Sequence, residues 1–135
     1  MRRAWLDGDW NAFEGQFFDE FDTNVHYIDE FDVPKHWRVV GCMDLGYTVQ
    51  HPTVCYWLAQ DPETLKVYVI REYVNVGAIK TYCADIKEIN NRFFNTAIIY
   101  ADPSMWSNNT KRDESDTSPA NYFISEGVPL MPAVS

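Results

Sequence analysis

Two apolar runs in this chain each end in an aspartate, and this pattern constrains the fold more than any other. The first closes on Cys42-Met43-Asp44-Leu45-Gly46-Tyr47 and the second on Ile98-Ile99-Tyr100-Ala101-Asp102-Pro103. A strand that is apolar along its length and ends in a carboxylate delivers that charge to the carboxyl edge of a sheet. In open α/β sheets, ligands sit at that edge. Asp44 and Asp102 are 58 residues apart (102 − 44 = 58), so they belong to separate strands, which can meet only through the fold.

The 135 residues correspond to one domain by length, and 46% hydrophobic with 16% aromatic residues is enough for a core. No apolar run approaches the roughly 18 residues of a membrane span, and the N-terminus lacks the apolar region of a secretory signal. We therefore expect a soluble intracellular protein. Cys42, Cys55 and Cys83 are odd in number and form no C-x-x-C pair, which favours buried reduced thiols over a disulfide framework or a zinc site.

The net charge of −9 weighs against free-standing affinity for nucleic acid, because phosphate binding depends on Lys and Arg displacing counterions. The acid excess is local, however. Asp19, Glu20, Asp22, Asp29, Glu30 and Asp32 crowd one segment, while Asp113, Glu114 and Asp116 crowd another.

Along the chain, residues 1–35 read as an irregular lead-in. It is an amphipathic arm in which Phe13, Phe17, Phe18 and Phe21 alternate with acids and pack on the domain. A strand follows from His36 to Met43, ending at Asp44, and a second from Thr53 to Ala59. Asp61-Pro62-Glu63-Thr64 then turns the chain into a third, antiparallel strand from Lys66 to Tyr73. Residues 77–92 change period: Ile79, Tyr82, Cys83, Ile86 and Ile89 or Asn90 share one face of a helix. Thr96 to Ala101 is short and almost wholly apolar, as a parallel strand covered on both faces should be. Residues 107–118 carry no apolar side chain and read as a mobile surface loop. Ser118-Pro119 opens a short helix that stops at Gly127, and Val128 to Val134 forms a last strand that Pro129 and Pro132 confine to an edge. Three antiparallel strands leading into parallel βαβ units give an α/β, ribonuclease-H-like mixed sheet, incomplete at the C-terminus because nothing follows the last strand.

Asp44 and Asp102 are the candidate catalytic and metal-ligating residues. Mg²⁺ takes oxygen ligands and needs only one or two protein carboxylates beside its waters and a substrate phosphate. Two such ions about 4 Å apart activate water and stabilise the leaving oxygen of a phosphodiester. The plainer reading of an acid at a strand end is a turn or helix cap. Glu72, read as ending the third strand, is a further ligand or a supporting acid, or else a cross-strand partner of Arg71. His51 stands after the first acid and could orient a phosphate or a water, or simply lie solvated beside Pro52. His26 and His36 have no zinc spacing. Trp106 reads as packing under the sheet edge. No phosphate-cradling G-x-x-x-x-G-K-[ST] and no G-x-S-x-G occur.

Leu6-Asp7-Gly8-Asp9-Trp10 with Phe13-Glu14-Gly15-Gln16-Phe17-Phe18, then Met43-Asp44-Leu45-Gly46-Tyr47, Arg71-Glu72-Tyr73 and Ala101-Asp102-Pro103-Ser104-Met105-Trp106 resemble, in that order, the large subunit of tailed-phage terminases. In that family an ATPase motor precedes a ribonuclease-H-like nuclease that cuts concatemeric viral DNA. The resemblance implies Mg²⁺ or Mn²⁺ bound by Asp44 and Asp102, double-stranded DNA as substrate, small-subunit and portal proteins as partners, and the host cytoplasm as location. It also implies that residues 1–35 are the end of the motor and its linker, and that 36–135 are part of the nuclease domain. The motor's P-loop is absent from these 135 residues. The family's third acid lies beyond the strand matching Val128 to Val134. An excised piece or a truncated prophage remnant, with weak or no activity alone, is the resulting expectation. A protein-interaction module built on the acidic arm 19–32 is the alternative reading. Self-association through an open sheet edge is a third.

Overall fold

The computed structural model describes residues 18–107 and 117–134. The chain divides into two compact units, Met1–Val33 and Pro34–Ser135. In the first, Asp22 caps one short helix, α1 (Thr23–His26), its carboxylate accepting the Asn24 N–H at 2.9 Å. His26 closes that turn: its Nδ1 accepts the Asp22 N–H at 3.0 Å, and its ring stacks on Phe21. Asp19, Glu20, Asp29, Glu30 and Asp32 are exposed, and so is Phe18. Leu6 to Phe17 of the expected arm lie outside the described residues.

The second unit runs β1 (Arg38–Asp44), β2 (Thr53–Gln60), β3 (Val67–Asn75), α2 (Ile79–Phe94), β4 (Ile99–Ala101), α3 (Pro119–Ser125) and β5 (Leu130–Pro132). The five strands form one sheet in the order β3-β2-β1-β4-β5. β1 pairs antiparallel with β2, and β2 with β3, whereas β4 runs parallel to both β1 and β5. This is the mixed layout that the sequence predicts.

Strand alternation decides which face is covered. On β2, Thr53, Cys55, Trp57 and Ala59 are buried and alternate with half-buried Val54, Tyr56 and Leu58. The buried set meets the apolar stripe of α2, where Tyr82, Cys83 and Ile86 recur at helical spacing, together with Ala120 and Phe123 of α3. One polar link crosses this core. Trp57 Nε1 donates to Asn90 Oδ1 at 3.0 Å, and Asn90 Nδ2 donates to the Ala97 carbonyl at 2.8 Å. Asn90 therefore ties α2 to β2 and to the approach to β4, leaving no buried side-chain polar atom unpaired among the described residues. Gly41 lets β1 and β4 close, since a Cβ there would stand 2.7 Å from Ile99 Cγ1.

Several boundaries differ from the sequence reading, each for a local reason. β3 continues past Tyr73 to Asn75 because β2 begins at Thr53, and Thr53 pairs with Asn75. Glu72 consequently sits inside the strand rather than at its end. The helix is shifted to Ile79–Phe94, ending where Asn95 turns left-handed at φ 50°. Thr96, at φ 57°, is also left-handed, so β4 starts only at Ile99 rather than at Thr96. Ser118 caps α3 with Pro119 at the first helical position, as predicted, and Gly127 at φ 102° ends the turn after it. β5 is the edge strand expected from its prolines, but spans only Leu130–Pro132. Most of the predicted surface loop 107–118 lies outside the described residues.

Candidate functional site

β1 and β4 are neighbours and parallel, with Met43 opposite Ala101 as their last pair in register. Asp44 and Asp102 are each the next residue along, so they leave the sheet side by side at its carboxyl edge. Neighbouring strands are spaced by about 4.8 Å, a separation that two carboxylates reaching for one ion can span. Both aspartates are exposed.

Asp102 is also a cap. Its Oδ1 accepts the Ser104 N–H at 2.7 Å, opening a 3₁₀ turn over Pro103–Trp106. The Ser104 hydroxyl and then the Ser104 N–H hold the Asp102 carboxyl below the ordinary carboxylate range. The capping reading of Asp102 thus holds as geometry. Ser104 is a residue to which the sequence reading gave no role of its own. The signal was present in Asp102-Pro103-Ser104, an acid followed by a proline that starts the turn.

The loop after Asp44 is pinned. Thr53 Oγ1 accepts the Gly46 N–H at 3.0 Å and donates to the Gly46 carbonyl at 2.8 Å. Only glycine fits at position 46, because a Cβ there would fall 1.9 Å from the His51 carbonyl oxygen. His51 and Thr48 exchange backbone hydrogen bonds across the same loop, at 3.1 and 3.2 Å. The imidazole of His51 is therefore exposed on a fixed loop at the edge that carries Asp44.

Glu72 is not at this edge. It pairs with Tyr56, which in turn pairs with Cys42, so it lies two strands from β1 and two residues back from the strand ends. Trp106 is half-buried against the core, while Met105 beside it is fully enclosed. The three cysteines are unbridged. Burial raises the thiols of Cys42, Cys55 and Cys83, the last to about 11, which keeps them neutral and unreactive at pH 7. Among the described residues, no three His, Cys, Asp or Glu side chains converge as a ready metal cluster. No helix among them is long and apolar enough to cross a membrane.

A comparison with solved structures gives one match of high probability, the nuclease domain of the P22 large terminase, at a TM-score of 0.61. The chain has a terminase nuclease-like fold. The match covers 84% of this chain and 55% of that one at 14% sequence identity, so this chain spans about half of the nuclease domain it resembles. No protein-family model and no curated protein matches the sequence. The ribonuclease-H-like mixed sheet expected from the strand order is the observed architecture.

Proposed function

We propose that the chain is nuclease machinery of a DNA-packaging terminase large subunit, in which Asp44 and Asp102 hold Mg²⁺ or Mn²⁺ for phosphodiester hydrolysis in double-stranded DNA. The observation carrying this reading is the parallel pairing of β1 with β4, which ends both strands in an aspartate at one edge. The likeness of fold to a terminase nuclease domain supports it.

The donor set suits the group. Two hard carboxylates and open solvent match a cation that prefers oxygen and keeps several waters. A bound cation of this kind supplies Lewis-acid chemistry at the scissile phosphate and activates water. The chain's own part is positional. Asp102 is kept ionised by Ser104 and aimed by the cap. Asp44 is fixed by the β1 ladder and by the loop that Thr53 pins. His51 stands on that loop, where it can orient a phosphate oxygen. Glu72 lies too far back for direct ligation and would act through the sheet. Residues 1–35 fit a linker from the motor, and the small subunit and portal are the partners this role calls for.

Two carboxylates bind a divalent ion weakly, so the isolated chain is expected to show weak or no cleavage. Mn²⁺ titration followed by the EPR signal of the free ion tests the reading. One bound ion should be seen, lost in both Asp44→Asn and Asp102→Asn; asparagine at position 102 keeps the cap oxygen and hence the turn. Equal binding by wild type and both variants would overturn the site, and robust Mn²⁺-dependent nicking of plasmid would overturn the expectation of weak activity.

A further inference from the structure

Resting on the nuclease reading, we infer that the outward side of α2 is a rail for the sugar-phosphate backbone of duplex DNA. The chain has a net charge of −9, yet more than half of the cations among the described residues share one helix surface. Of the seven Lys and Arg among the described residues, Arg71, Lys80, Lys87 and Arg92 lie on α2 or against it, and all four are exposed. Lys80, Lys87 and Arg92 line a groove of about 610 Å³ between α2 and α3, with Tyr122, Glu88 and Glu126 also on its walls.

Their neutralisation is partial, because Glu88 and Glu126 share the groove. Lys80 and Lys87 form no ion pair among the described residues. Arg92 meets Glu88 at 3.8 Å with both side chains about 70% exposed, a pairing too weak to commit the guanidinium. Arg71 reaches across from β3 to lie 4.5 Å from the centroid of the Phe93 ring, and Arg92 lies 5.1 Å from the same centroid. Two guanidiniums gathered on one ring repel each other, and the ring orders both. Guanidinium geometry suits phosphate. Lys87 is ordered too: its Cε passes 3.4 Å from where a Cβ on Gly127 would stand, so it rests along the end of α3.

The spacing favours an extended polyanion. Lys80 to Arg92 spans twelve residues, about 18 Å of helix, which matches roughly five base-pair rises along the axis of a duplex. The rail also starts at the right place. α2 follows β3, whose last residue Asn75 pairs with Thr53, one position from the pairing of Val54 with Asp44. A backbone lying on α2 therefore runs toward the carboxyl edge where Asp44 and Asp102 stand.

The test is duplex binding by fluorescence anisotropy in EDTA, from 50 to 200 mM KCl, so that no cation bridge contributes. Wild type is compared with K80Q/K87Q/R92Q and with K35Q/R38Q/K66Q, which removes the same charge from exposed sites elsewhere. The rail variant should lose about 2.7 from the log–log salt slope, so the wild-type affinity falls about forty-fold more than the variant's over this range. D44N/D102N should keep the wild-type slope, since in EDTA the metal site contributes nothing; failure of the metal site is read separately, in the Mn²⁺ titration. An unchanged slope in the rail variant, an equal loss in the control, or no duplex binding by wild type at 50 mM would each overturn the rail.

Discussion

The two faces of the sheet have the same strands and the same alternation, yet different fates. On one face Thr53, Cys55, Trp57 and Ala59 are fully enclosed by α2 and α3. On the other, Val67, Val69 and Val74 are 58%, 62% and 49% exposed, although they pair with Gln60, Leu58 and Val54 just as closely. Stability is therefore concentrated on the helix-covered face. The outer face and the carboxyl edge contribute little to it, which leaves the edge free to carry two exposed aspartates.

Substitutions can break or sharpen this contrast. The largest effect should come from Trp57→Ala on the covered face. It empties a fully buried site and takes the donor from Asn90 Oδ1, for a loss of about 3–5 kcal/mol in chemical denaturation. Gly46→Ala should follow at about 1–3 kcal/mol or more, because the clash is with the backbone of His51 rather than with a flexible side chain. The same variant should loosen the loop that fixes Asp44 and weaken Mn²⁺ binding.

A pH effect of smaller size ties β3 to α2. Tyr73 donates to Asp85 Oδ2 at 2.6 Å; burial first and this hydrogen bond second push its phenol up to about 12. Because the folded value exceeds the unfolded value near 10, the stabilisation is complete below pH 10 and is lost as pH rises toward 12. Tyr73→Phe should flatten that loss in thermal melts taken across the window. The smallest effect should be that of Val69→Thr on the outer face, within about 0.5 kcal/mol of wild type. A loss of 2 kcal/mol or more there would mean that the outer face is as structural as the covered one.

Much of this architecture was legible in the sequence because its signals are local and periodic. The stripe Tyr82, Cys83, Ile86, Asn90 announced α2, and Ser118-Pro119 announced the start of α3. The apolar runs ending in Asp44 and Asp102 announced two strands with charged tips. What could not be read depended on pairing. Glu72 looked terminal until the Thr53–Asn75 register extended β3 beyond it. The left-handed turns at Asn95 and Thr96, which shorten β4, carry no glycine to advertise them. Ser104 was given no role because its value lies in how it holds the Asp102 carboxyl. The adjacency of Asp44 and Asp102 was expected from strand order, whereas the position of each cation on α2 gained meaning only once α3 stood beside it.

The most direct test of the central claim is an anomalous difference map from crystals of the chain soaked in Mn²⁺. The account predicts a peak between the ends of β1 and β4, about 2.1 Å from one carboxylate oxygen of Asp44 and from one of Asp102. Mn²⁺ bound elsewhere with that edge bare, or the two carboxylates turned away from each other, would contradict it.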